Sequence, residues 1–279
     1  MIEFAKETLS LLPFLFVTYL AIEAMEARAG GALGRILGRS RRIGPLAGAA
    51  AGVVPQCGFS AAAASLYAGG VVSAGTLLAV FLSTSDEMLP VLLSTKIPGS
   101  TILKIVFLKA AFAVPAGFAL DAVLRMFPGR GRTATPGSLC AHSHCGCSKH
   151  KNIFKAAAIH TFEIFIFVAL VAGGIEYALH LAGEEALESL WLDRPWAGEL
   201  VAGALGLVPN CAVSAAAAKL FADGAIGAGP LLASSFTGCG VGLLVLLRTN
   251  RSWRENAAML AALYATGVVS ARICTFFFQ

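Results

Sequence analysis

The sequence predicts an all-α integral membrane protein made of two inverted repeats, each with a broken or re-entrant helical hairpin meeting the other near the membrane midplane. Three observations lead there. First, 57% of the 279 residues are hydrophobic and only 13% are charged, about half the ~25% charge of a soluble domain. Too few polar residues remain to cover a water-soluble globule. Second, the chain repeats itself: displaced by 154 positions, Gly52–Leu93 lies over Gly206–Leu247 without a gap, and half of the 42 pairs are identical. Third, equivalent loops of the two halves carry opposite charge, and Lys and Arg gather on the cytoplasmic side of a membrane.

In order along the chain, Leu11–Ile22 is the first span candidate. Its leader, MIEFAKE, is not basic and no small-residue cleavage site follows, so it reads as a span rather than a signal peptide. Arg28, Arg35, Arg39, Arg41 and Arg42 crowd the next loop, which is therefore expected in the cytoplasm. Ile43–Val54 and Phe59–Gly69 each give ~18 Å of helix, too short to cross a ~30 Å hydrocarbon core. Between them the stretch VVPQCGFSAAAA, Val53–Ala64, breaks the helix at Pro55–Gly58. Irregular backbone at membrane depth is tolerated only where protein buries it or it lines a polar cavity, so this turn is expected at a central site.

A second break follows in FLSTSDEMLP, Phe81–Pro90, which sets Asp86 and Glu87 side by side in an apolar segment. A carboxylate there costs about 3 kcal/mol or more unless paired or hydrated. Lys104, Lys109 and Lys219 are available as partners, so the pair is either an ion-pair element or a substrate and proton site. The first repeat is residues 1–127, and residues 128–152 form a basic, cytoplasmic linker. Within it, CAHSHCGCSKH holds Cys140, His142, His144, Cys145, Cys147 and His150. Thiolate and imidazole suit zinc and Cu(I), and the spacing fits no zinc finger. The segment reads as a flexible metal-capturing tether, against a plain linker with adventitious affinity.

The second repeat, 153–279, opens with the apolar run Ile164–Ile175. The next loop carries Glu184, Glu185, Glu188 and Asp193 with a single arginine, which places it opposite its basic counterpart. LVPNCAVSAAAA, Leu207–Ala218, restates the first turn, with Pro209, Asn210, Cys211 and Ser214 on Pro55, Gln56, Cys57 and Ser60. SFTGCGVGLL, Ser235–Leu244, restates the second break with Cys239 for Ser85 and Gly240–Val241 for the acid pair. The Arg248–Arg254 loop is again basic. One topology satisfies these loops: both termini outside, the central loop inside, in the plasma (inner) membrane. Inverted repeats of this kind are a common transporter architecture.

Cys57 and Cys211 are candidate substrate-path thiols because they recur at a helix break, although a buried cysteine alone is often a small inert hydrophobe. Gln56 and Asn210 supply carbonyl ligands or cap the broken helices. Ser60 and Ser214, in the first turn of the following helix, are caps or ligands. Asp86 and Glu87 are oxygen ligands for a transported ion, or carry a coupling proton. Cys239 adds a thiol from the second half, and Cys274 reads as packing.

The Pro-x-Cys break, the alanine-rich helix after it, TSDEMLP and the repeated second half resemble the ten-span heavy-metal exporter family, whose members carry arsenic-efflux or manganese-transporter labels. The chain is also similar to the organoarsenical permeases, which share a Pro-x-Cys element after a glycine-rich helix. The resemblance covers nearly the whole chain apart from the central loop. It implies export across the plasma membrane, with Cys57, Cys211, Asp86 and Glu87 near the path.

The expectation is thus a secondary transporter, not an enzyme. It exports a heavy-metal or metalloid ion, is driven by the proton gradient and has no resident cofactor. Its partners are the lipid bilayer and the transported ion, with no nucleic acid. No nucleotide-binding P-loop occurs in the chain. Two rivals are a channel or transporter for an organic solute, with inert cysteines, and an intramembrane thiol redox enzyme. The redox reading would use Cys57 with Cys211, or the Cys145–Cys147 pair.

Overall fold

A computed structural model describes residues 12–13, 15–17, 19–20, 43–54, 57–85, 88–95, 97–126, 153–182, 196–250 and 252–278. Among them there is helix and connecting backbone, with no strand. In the first half the helices are α1 (Ile43–Gly52), α2 (Cys57–Ala68), α3 (Ala74–Ser83), α4 (Met88–Ser94) and α5 (Gly99–Met126). In the second they are α6 (Ile153–Ala182), α7 (Ala197–Gly206), α8 (Cys211–Ala222), α9 (Ala228–Thr237), α10 (Val241–Thr249) and α11 (Trp253–Thr275).

Five stretches are long and apolar enough to cross a membrane: 74–94, 99–126, 157–175, 228–249 and 253–275. They sort into two layers. The stretches α3–α4 and α9–α10 are 75% and 83% buried over their most apolar windows, whereas the other three are 24–39% buried. The helices that open these two stretches, α3 and α9, carry no charge and are buried on every face, as a helix enclosed by others must be. Leu77, Leu78, Phe81 and Leu82 are wholly enclosed, and so are Leu231, Leu232 and Phe236. The outer helices turn Leu103, Phe107, Phe162, Leu170 and Val269 outward, an apolar rim that suits lipid rather than water.

The offset of 154 seen in the sequence reappears in the helix boundaries. Helices α1, α2 and α3 start and stop where α7, α8 and α9 do, α5 and α11 share a start, and α10 begins one residue earlier than α4. Local chemistry repeats as well. Each helix after a cysteine turn ends in a Schellman motif with glycine at the left-handed position, Gly70 (φ 72°) and Gly224 (φ 74°). Val71 N–H donates to Leu66 O and Gly70 N–H to Tyr67 O, while Ala225 and Gly224 do the same to Leu220 and Phe221. This is the bonding that closes a helix C-terminus on a residue without a Cβ.

The short helices reach the inner layer through small residues. Gly44, Gly48 and Gly52 lie along one face of α1 against Thr76, Val80 and Ser83 of α3. Glycine at every fourth position lets two backbones approach closely. In the second half Gly198, Ala202 and Gly206 occupy the same places, all buried. Gly206 meets Ser234 and Thr237 of α9, the counterparts of Val80 and Ser83. Across the molecule the halves exchange elements. Helix α2 packs on α10, and its counterpart α8 packs on α4. From the first apolar tract, Tyr19 reaches α2 by a hydrogen bond to Ser65, 3.1 Å between oxygens.

Candidate functional site

Both inner helices break near their middles. Helix α3 ends on Ser83, and Thr84 turns extended (ψ 131°) with its N–H still bonded to Val80 O. Helix α9 ends on Thr237, and Gly238 turns extended (ψ 95°) with its N–H bonded to Ser234 O. Gly240 (φ 51°) then starts α10 from a backbone region that side chains rarely enter. Thr84, Ser85 and Met88 are almost fully buried on the first side, as are Thr237 and Cys239 on the second. The hydroxyls of the first break are turned onto the chain itself: Ser83 donates to Ala79 O (2.8 Å), Thr84 to Val80 O (2.7 Å) and Ser85 to Ser83 O (3.2 Å).

Lys109 joins the two breaks. It lies on the inward stripe of α5 with Ile102, Ile105, Ala113, Gly117 and Asp121, and none of its surface is accessible. Its Nζ donates to Thr84 O, to Ser235 O at 2.7 Å and to Ser235 Oγ at 2.6 Å. Among the described residues these are three oxygen acceptors, from the ends of two helices. The ring of Phe236 lies 5.9 Å from the same nitrogen, within cation–π range. Thr84 caps the C-terminus of α3, and Ser235 lies in the last turn of α9. The ammonium thus sits where the negative ends of two helix dipoles converge.

The serines that follow the two cysteine turns both lie close to the second break. A Cβ built on Gly242 would stand 2.6 Å from Ser60 Cβ, and one built on Gly238 would stand 3.3 Å from Ser214 Oγ. The first turns of α2 and α8 therefore both approach the backbone at and just after this break. Ser60 does not cap: its hydroxyl donates back to Cys57 O at 2.8 Å. Cys57 is the first residue of α2 and is buried, Cys239 is buried within the second break, and Asn210 is buried just before α8. Cys274 is enclosed on α11.

Several candidates lie outside the described residues: Gln56, Asp86, Glu87, the side chain of Cys211, and Cys140, His142, His144, Cys145, Cys147 and His150 of the linker. Among the described residues no three His, Cys, Asp or Glu side chains converge.

Away from the centre, Asp121 ties α5 to the start of α3. It accepts from Ser73 Oγ at 2.6 Å and from Gly75 N–H at 2.8 Å, while Ser73 caps α3 by accepting from Thr76 N–H. In the second half Glu199 on α7 pairs with Arg272 on α11 at 3.1 Å.

Reading the sequence treats Lys109 only as a partner for the acids and passes over Ser235. One signal was available: in the repeat, Lys109 falls on Leu263, so an enclosed position of one half carries a charge that the other half fills with a hydrophobe. Compared with known proteins, the chain matches no protein family, no curated protein and no solved structure.

Proposed function

We propose that this chain is an inverted-repeat secondary transporter that exports a heavy-metal or metalloid ion across the plasma membrane, coupled to protons. The observation that carries the reading is the pair of interrupted inner helices. Two apolar spans are broken at equivalent points inside the bundle, and Ser60 and Ser214 both lie close to the second break. Breaking a helix in hydrocarbon sacrifices backbone hydrogen bonds, and transporters place such breaks where a small ion or solute must shed its water.

In this reading Cys57, Cys211 and Cys239 give the path its soft ligands, and Asp86 and Glu87 give it hard ones. Thiols favour trivalent arsenic, Cd²⁺, Zn²⁺ or Cu(I), whereas the acids suit Mn²⁺ or the coupling proton. The termini lie outside and the linker faces the cytoplasm, where its cysteines and histidines gather the cargo. The two cysteine turns enter as re-entrant hairpins from opposite faces.

The test is uptake by everted membrane vesicles, with and without a proton gradient, of Mn²⁺, Zn²⁺, Cd²⁺, Cu(I) and arsenite. Gradient-dependent uptake of a soft ion, lost in Cys57→Ser, is the expected result. Uptake of Mn²⁺ alone, unchanged in Cys57→Ser and lost in Asp86→Asn with Glu87→Gln, moves the site to the acids. No uptake of any of the five ions overturns the metal reading.

A further inference from the structure

Around Lys109 Nζ the described residues bring together three oxygen atoms from two helix ends. Thr84 O comes from the end of one half-helix, while Ser235 O and Oγ come from the last turn of the other. Unwound carbonyls and half-helix C-termini are where transporters hold their coupling cations, since two dipole ends of like sign repel unless a positive charge stands between them. Here the positive charge is covalent. Lys109 arrives from a third helix, α5, with its whole side chain enclosed and its ammonium at the point where α3 and α9 both stop.

We propose that Thr84 and Ser235 form a monovalent-cation site at the junction of the two breaks, and that Lys109 occupies it permanently as a tethered cation. The protein accordingly takes no Na⁺ or K⁺ from solution at this place. Removing the side chain uncovers a site for a diffusible cation of matching length. This does not depend on what the transporter carries.

Three observations favour a cation site over simple glue. The acceptors are helix-end oxygens from both halves rather than neighbours on the lysine's own helix. The Phe236 ring adds a face that prefers cations. The equivalent position in the second half is the enclosed hydrophobe Leu263, so helix packing alone does not call for a lysine there.

The experiment is thermal unfolding of the purified full-length protein in detergent, for wild type, Lys109→Ala and Lys109→Met, with alkylammonium chlorides, alkali chlorides and neutral alcohols. Lys109→Ala lacks three carbons and the nitrogen, so n-propylammonium is the matching ligand. Lys109→Met keeps a stem of similar length, so ammonium or an alkali ion fits. The expected result is a saturable rise of about 3–5 °C at roughly tenfold excess over the dissociation constant. It appears with propylammonium for the alanine variant and with ammonium, K⁺ or Na⁺ for the methionine variant, and is absent from wild type. Propan-1-ol fills the same volume without charge and gives no comparable rise.

Equal stabilisation by propanol and propylammonium overturns the proposal, because only the cavity would matter. Folded variants that respond to no cation also overturn it. So does failure of both variants to be recovered even when extracted in the matching amine, because no free cation then substitutes for the tether.

Discussion

Asp121 holds two groups at once, the Ser73 hydroxyl and the Gly75 N–H, at the start of an inner helix. Replacement by alanine strands a buried backbone donor, which costs about 2 kcal/mol. Asp121→Asn keeps one carbonyl acceptor and should lose roughly half of that, as read by melting temperature in detergent. A similar loss for both substitutions, or none, would show that the carboxylate does not hold α3. Cys57, Cys239 and Asn210 were all legible in sequence as residues of helix breaks, because proline, glycine and a repeated polar residue inside an apolar tract mark where a ladder cannot continue. Lys109 was not. Its role depends on which carbonyls lie across from it, and those come from segments 25 and 126 residues away.

At the scale of elements, the glycines divide into two kinds with different expected sensitivities. Gly70 and Gly224 are required by their backbone angle, so alanine at either costs about 1 kcal/mol by forcing a Cβ into the left-handed region. Gly48 is required by proximity instead: a Cβ there would stand 2.9 Å from Thr76 O, a backbone atom. Gly48→Ala should therefore destabilise by about 1–3 kcal/mol, although its counterpart in the repeat, Ala202, is an alanine already. The reverse change, Ala202→Gly, should cost no more than about 1 kcal/mol. Equal losses at Gly48 and Ala202 would contradict this account of α1 against α3. The glycine ladder of α1 was visible in the sequence as a four-residue spacing. Its partner surface was not, because threonine, valine and serine on α3 read equally well as a face towards anything.

For the whole molecule, the two layers differ in burial: 74–94 and 228–249 lie in the middle, although the first includes Asp86 and Glu87 in sequence, and the helices carrying Lys104, Lys155, Arg254 and Arg272 lie outside. The orientation of the two halves rests on loop charge alone, and single-cysteine labelling measures it directly. In a background with the native cysteines replaced, a cysteine introduced among residues 28–42 should react with an impermeant thiol reagent only from the cytoplasmic face. One introduced among residues 184–193 should react only from outside. Labelling of both loops from the same face would make the repeats parallel and remove the inverted arrangement from the transport proposal. The repeat itself departs from symmetry in sequence. Asp86, Glu87 and Lys109 all belong to the first half and face Gly240, Val241 and Leu263 in the alignment of the second. At these three aligned positions the first half carries charge and the second carries none.

The exchange of α2 onto α10 and α8 onto α4 also bears on how the protein is made. When synthesis has passed the first half, the helix that begins at Cys57 can rest on α3 and Tyr19, but its main partner surface is written near residue 241. The first half alone therefore leaves the face of the cysteine helix that meets α10 uncovered. Cutting the gene within residues 128–152 and producing both pieces together should restore a protein that co-purifies as one particle, while either piece alone should be degraded.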